Sequence, residues 1–280
     1  MSRGRKGSHP PTLLRLVARA LDDECRLAVG QRVLLAVSGG GDSTALLHVM
    51  ARLAEPRGLS LFAHGVDHGL RPEAGRELDL AEGLSLRLGV PFSRGAVVLS
   101  PGGNMQARAR QARYAELRRR AAELGGALVA TAHHADDRAE TVLLRILRGV
   151  GLDGLGVLAA HDGDLVRPFL RARRSDVLSH LARHQLAYAN DPSNRNPKYS
   201  RVRVRTEVLP LLESMNPRIV EHLCALADEA HARRMGNGAT RVALGREQTE
   251  QLSRALERRQ SGFSLPLSRD LRLVLEASRR

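Results

Sequence analysis

Arg32-Val-Leu-Leu-Ala-Val-Ser-Gly-Gly-Gly-Asp-Ser-Thr-Ala-Leu-Leu-His-Val-Met50 is the stretch that decides how the chain is read. A short apolar, partly β-branched run stops at Ser38 to Ser43 and gives way to a helix-forming segment, so it predicts a strand, a glycine turn and a helix. Backbone N–H groups in such a turn approach an anion closely, and the helix N-terminus adds a partial positive charge. Phosphate is the natural ligand. A Walker loop needs Gly-Lys-Ser or Gly-Lys-Thr, which the chain lacks, and the spaced glycines of the dinucleotide fingerprint are also not matched.

The same alternation runs on. Leu59 to His64, Pro91 to Leu99 and Ala127 to Ala132 read as strands, while Pro72 to Leu88, Asn104 to Leu124 (with Asn104 as N-cap) and Ala135 to Arg148 read as helices. Strands separated by helices of this length predict right-handed crossovers and an α/β fold, a parallel sheet with helices on both faces. Ligands collect beyond the carboxyl ends of such strands, so Ser38 to Ser43, His64 to Arg71 and His133 to Asp137 are expected to converge on one crevice. Beyond Gly149 the expectation is a strand-like Leu165 to Leu170, a helix from Arg174 to His184, an exposed polar loop from Asn190 to Lys198, and helices from Arg203 to Met235. The expected units are a basic extension with a helix over 1–28, a main domain over 29–210 and a small, mainly helical C-terminal domain over 211–280.

Composition narrows the partners. The 280 residues carry 44 basic against 30 acidic side chains, a net +14, which favours a polyanion, nucleic acid first and anionic membrane second. Between Arg138 and Arg205, 12 Arg and one Lys face six acids, a surface suited to an RNA backbone and sensitive to salt. Aromatic residues are only 2% with no Trp, so phosphate contact and shape, rather than base stacking, are expected to dominate. No apolar run reaches the roughly 18–20 residues that span a bilayer, and the first twenty residues have no signal-peptide pattern. The expectation is a soluble, cytoplasmic protein. Cys25 and Cys224 are far apart and are read as buried or incidental thiols.

Thr131-Ala-His-His-Ala-Asp-Asp-Arg-Ala-Glu-Thr141 follows a predicted strand and opens a helix. Asp136 and Asp137 suit a helix N-terminus without any chemistry. His133, Asp137 and Glu140, however, recur at i, i+4 and i+7 on one face or its lead-in turn. Carboxylates beside a polyphosphate are ligands for Mg2+, and a histidine there can orient a phosphate or move a proton.

Ser38-Gly-Gly-Gly-Asp-Ser43 resembles the signature of the N-type ATP pyrophosphatases, the PP-loop family. His133-His-Ala-Asp-Asp-Arg-Ala-Glu-Thr141 and Gly103-Asn-Met-Gln-Ala-Arg-Ala-Arg-Gln-Ala-Arg-Tyr114 resemble the tRNA(Ile)-lysidine synthase branch of it. So do Val66 to Arg71, Leu144 to Gly149, Arg167 to Leu170, Asp191 to Asn194 and Tyr199 to Pro210, over roughly 31–217. The resemblance implies an adenine nucleotide alpha hydrolase-like fold and a ligase acting on the wobble cytidine of a tRNA(Ile) with a CAU anticodon, changing its specificity from methionine to isoleucine. ATP adenylates the cytidine, then L-lysine replaces AMP. It implies ATP and Mg2+ as cofactors and allows a homodimer. ATP would lie on Ser38, Gly39, Gly40, Gly41, Asp42 and Ser43; a metal on Asp42, Asp136, Asp137 and Glu140; and His133, Asp137, Arg205 and Arg113 would be catalytic. The tail resembles the compact form, with one small C-terminal domain. Arg138, Val202 and Gly65 stand where the family carries other residues, which puts local substrate contacts in question. The alternatives are another PP-loop tRNA-modifying or adenylating enzyme, and an idle RNA-binding module.

Overall fold

The segment opened by Arg32 lies at the centre of the sheet. The computed structural model describes residues 12–67, 74–97, 103, 105–189, 199–235, 250–251, 254–255, 264–266 and 272–274. Helix α1 (Leu13–Ala20) leads to strand β1 (Arg32–Ala36) and helix α2 (Gly41–Ala54); β2 (Ser60–Asp67), α3 (Ala74–Arg87), β3 (Phe92–Ala96), α4 (Met105–Glu123), β4 (Leu128–Ala130) and α5 (Ala135–Leu147) follow. A short hairpin, β5 (His161–Asp162) and β6 (Leu165–Val166), precedes α6 (Arg174–Arg183), α7 (Ser200–Arg203), α8 (Leu209–Met215) and α9 (Ile219–Met235). The six strands are ordered β3-β2-β1-β4-β6-β5, all parallel except the β5–β6 pair.

Strand β1 is buried on both faces, as a central parallel strand must be. Val33 and Leu35 join the core built with α1, α2 and α6, and Leu34 joins the opposite one with Tyr114, Leu117 and Ala121 of α4. The order reverses at β1, which lies between β2 and β4, so the crevice forms where the β1–α2 and β4–α5 turns meet. The expected strand Leu165 to Leu170 shortens to Leu165–Val166: Arg167 N–H still bonds Ala160 O at 2.8 Å, in register with β5, but Pro168 has no N–H for the ladder. The Asn104 cap, the loop from Asn190 to Lys198, and His68 to Arg71 lie outside the described residues.

The chain divides into two compact units, Met1–Arg234 and Met235–Arg280, rather than near residue 210. Leu209, Val220, Leu223, Cys224 and Ala227 of α8 and α9 pack with Ala135, Ala139 and Val142 of α5, and that apolar contact draws the helices after Pro210 into the first unit. At the other end, Leu13, Val17, Leu21 and Cys25 enter the main core, so the helix expected in a basic extension is part of the same unit. In the second unit, β7 (Ser264–Pro266) pairs antiparallel with β8 (Arg272–Val274). Cys25 and Cys224 are free and buried, and burial pushes their thiols up to about 12 and about 11. Among the described residues no helix is long and apolar enough to cross a membrane.

The three departures from the family pattern all serve packing. Arg138 is fully buried, donates from Nε to Val157 O at 3.0 Å and pairs through Nη1 with Asp228 of α9 at 2.6 Å. Val202 is buried, and a Cβ on Gly65 would lie 2.4 Å from Leu78 Cδ2, so Leu78 fills the space a side chain there would take. Asp228→Ala is expected to lower unfolding stability by about 3 kcal/mol, because it strands a buried guanidinium. Urea denaturation reads this, and Arg138→Met on the same background restores most of the loss. A single substitution with no effect on the midpoint would refute the pairing's weight.

Candidate active site

The loop Ser38 to Ser43 is held by its own hydroxyls. Ser43 Oγ donates to Gly40 O at 2.9 Å, accepts from Ser38 N at 3.1 Å and lies 3.2 Å from Ser38 Oγ. Gly39 has φ +81°, and a Cβ on it would stand 2.1 Å from the backbone oxygen of Glu77. Gly39 O also accepts from Ala189 N at 2.9 Å. Gly40 caps α2 with no side-chain bond, leaving the first N–H groups of that helix as an anion-binding end.

His134, fully buried at the start of α5, joins this loop to the acidic cluster. Its Nδ1 accepts the Asp137 backbone N–H at 3.4 Å, while its Nε2 lies 3.5 Å from Asp137 Oδ2 and 3.9 Å from Asp42 Oδ2 with no hydrogen-bond partner. Burial opposes charging this imidazole, but Asp136, Asp137 and Asp42 outweigh burial and hold its pKa above the ordinary value. Asp42 is raised by burial, with the Asp137 carboxylate adding to the effect. Burial raises Asp137 as well, yet His134, His133 and Arg201 overcome it and hold Asp137 below the carboxylate range.

The other two carboxylates are committed to arginines. Asp136 takes Arg173 Nη2 at 2.9 Å and Arg174 N at 2.8 Å, closing α6 onto α5. Glu140, 1% exposed, takes Arg205 Nε at 2.6 Å and Nη2 at 3.0 Å and Arg201 Nε at 2.8 Å. Arg201 Nη2 and Arg205 Nη2 also reach Asp137 Oδ1, at 2.9 and 3.4 Å. A π-helical turn, Val204–Val208, separates α7 from α8 and carries Arg205. Of the four carboxylates expected from the sequence as a metal set, Asp136, Asp137 and Glu140 all have arginine partners, whereas the contact of Asp42 is with His134.

His133 is half-buried, shares a 2.8 Å bond with Thr131 Oγ1, and burial holds it well below its usual pKa. The positive charges of Arg110 and Arg167 reach it. Arg167 is buried, donates to Ala159 O at 2.6 Å and leaves Nε unpaired. Arg113 stacks on Tyr114, its Cζ 5.6 Å from the ring centre, and Arg110 lies on the same ring at 5.0 Å. No contact among the described residues ties Arg113 to the loop or to the acids. Sequence reasoning chose His133 and passed over its neighbour His134. It also missed Arg201, which the i, i+4 spacing from Arg205 signals, and Arg173, which no local pattern does.

A PP-loop domain family model matches residues 13–212. A tRNA(Ile)-lysidine synthase of Symbiobacterium thermophilum is 42% identical over 212 residues, which are 72% of this chain and 44% of that protein. One of Thermobifida fusca is 40% identical over 227 residues, 79% of this chain and 68% of that protein. The chain spans about half the length of several curated relatives it matches. A U34-tRNA thiolase of Methanococcus maripaludis shares the fold at TM-score 0.65, with 17% identity over 87% of this chain and 91% of that one. With the loop, the Asp42–His134–Asp137 arrangement and these matches together, the chain belongs to the PP-loop family and, within it, to the tRNA(Ile)-lysidine synthases.

Proposed function

We propose that the protein uses ATP to join L-lysine to the wobble cytidine of a CAU-anticodon tRNA(Ile). The observation that carries the reading is the junction of the anion-binding loop with Asp42 and Asp137 across the buried His134. In the first step the cytidine carbonyl oxygen attacks the α-phosphate of ATP and pyrophosphate leaves. In the second, the lysine side-chain amine attacks the activated ring carbon, loses a proton, and AMP leaves with the bonding pair. The α2 N-terminus receives phosphate oxygens. Arg201 and Arg205, fixed by Glu140, add positive charge beside Asp137 without having to reorganise during the reaction.

Asp42 and Asp137 fit a divalent cation. Both are oxygen donors, and their carboxylates lie 3.9 and 3.5 Å from the same His134 Nε2. Bound there, Mg2+ would neutralise charge on phosphate oxygens. The surplus of Arg between residues 138 and 205 supports tRNA as the polyanion.

The test is incubation of the protein with ATP, Mg2+, labelled lysine and unmodified tRNA(Ile) transcript, with a methionine tRNA and Asp137→Asn as controls. Label is expected on the isoleucine tRNA alone, falling about a hundredfold or more in the variant, whose thermal melt is recorded alongside because Asp137 also caps α5. AMP formation that needs tRNA but attaches no lysine would point to another PP-loop modifier. Neither signal would leave an RNA-binding module.

A further inference from the structure

Behind the nucleotide loop, three histidines meet between α2 and α6. His48 of α2 and His180 of α6 are buried, and His184 at the C-terminal cap of α6 is half-buried. Their ring centres lie 4.5, 4.7 and 5.0 Å apart. His48 Nδ1 is 2.9 Å from His180 Nε2, and one nitrogen from each of the three falls within 4.8 Å of the others. Nothing in the proposed reaction uses them.

We propose that His48, His180 and His184 form a binding site for a borderline transition-metal ion of the Zn2+ class. Zn–N bonds of about 2.0–2.1 Å in tetrahedral geometry place ligand nitrogens roughly 3.4 Å apart, so the observed spacing needs only small side-chain adjustments. An all-imidazole set suits Zn2+, Co2+, Ni2+ or Cu2+ and offers Mg2+ none of the oxygen donors it prefers. Burial, with Arg52 and His184 adding to it, pushes His48 down to about 4, and burial does the same for His180, so protons do not compete for these lone pairs at neutral pH. The charges facing the cluster are cationic: Arg52, which donates to His48 Nε2 at 3.3 Å, and Arg183. Arg52 is exposed and can turn to water when His48 Nδ1 takes the ion. Three protein ligands leave a fourth position for water.

The site is placed to brace the loop. His48 is on the helix that the loop opens. Beyond His184, Tyr188 abuts Gly41, and Ala189 N–H bonds Gly39 O. An ion holding α2 to α6 would stiffen the frame from which the glycine turn hangs.

The experiment is Co2+ titration of the tag-free, chelator-stripped full chain, followed by visible absorption. Wild type is expected to develop the intense bands of four-coordinate Co2+, and Zn2+ is expected to displace it stoichiometrically. Saturating Zn2+ should raise the melting temperature by about 4 °C or more. His184→Ala, at the half-buried cap, should melt like the metal-free wild type yet show no Co2+ band and no Zn2+ shift; His180→Gln is the second variant. A wild type with no band, or a band that survives in His184→Ala, would overturn the proposal.

Discussion

Gly39→Ala is expected to lose about 3 kcal/mol of stability and at least a thousandfold in ATP-dependent activity. Two effects combine. An alanine at φ +81° pays for a left-handed backbone, about 1 kcal/mol. Its Cβ would also stand 2.1 Å from Glu77 O, a backbone atom in α3 that no rotamer change can move. The loop must then shift, at a packing cost of about 1–3 kcal/mol, and the shift breaks the Ala189–Gly39 hydrogen bond. A displacement of about 1 Å in the N–H groups that hold phosphate is enough for a large loss of rate. Gly40→Ala is the matched control: its φ is −72°, and a Cβ there meets only Ser38 Oγ at 3.6 Å. It should melt like wild type while weakening nucleotide binding, since the methyl group would stand where phosphate approaches. Melting curves and ATP calorimetry on the two variants separate folding from binding. A Gly39→Ala protein with unchanged melting temperature would show that the close approach to Glu77 is not a constraint.

That contrast also shows how far the residues alone could be read. The glycine turn was legible because apolar β1 and the small residues after it obey local rules, and the parallel sheet followed from the repeat of strand and helix. The partners of the acidic cluster were not. Asp136 reads locally as a helix-dipole acid, yet it is fixed by Arg173, 37 residues away in the chain. Glu140 reads as one of a row facing solvent or metal, yet it is buried beneath two arginines from positions 201 and 205. The choice between His133 and His134 depends on how the four-residue connection 131–134 turns between β4 and α5, and periodicity does not determine that. Arg138 and Val202 looked like changes in substrate contact because their motif neighbours are catalytic candidates. A helix has another face: from it Arg138 pairs with Asp228 of α9, and Val202 is buried.

Glu140→Ala should then be the most damaging substitution in the acidic cluster, with about 3–4 kcal/mol lost. Removing one member of a buried charge group leaves the others uncompensated, and here two guanidiniums lose their shared acceptor at once. Arg201 is 40% exposed and can turn to water, so Arg201→Ala should lose only about 1 kcal/mol, whereas Arg205 is 24% exposed and keeps its three bonds only while both acids remain. Glu140→Gln retains the shape and one acceptor oxygen and should fall between the two. Glu140 touches no reacting atom in the proposed mechanism; it is a positioning residue that fixes how Arg201 and Arg205 sit against Asp137 Oδ1. Freed from Glu140, they would lose that fixed arrangement beside the carboxylate that faces Asp42, and activity would fall with it. The rate losses of Glu140→Gln and Asp137→Asn should therefore be strongly non-additive, the double variant being little worse than Asp137→Asn alone. Independent, multiplying losses would mean that Glu140 contributes to stability without acting through Asp137.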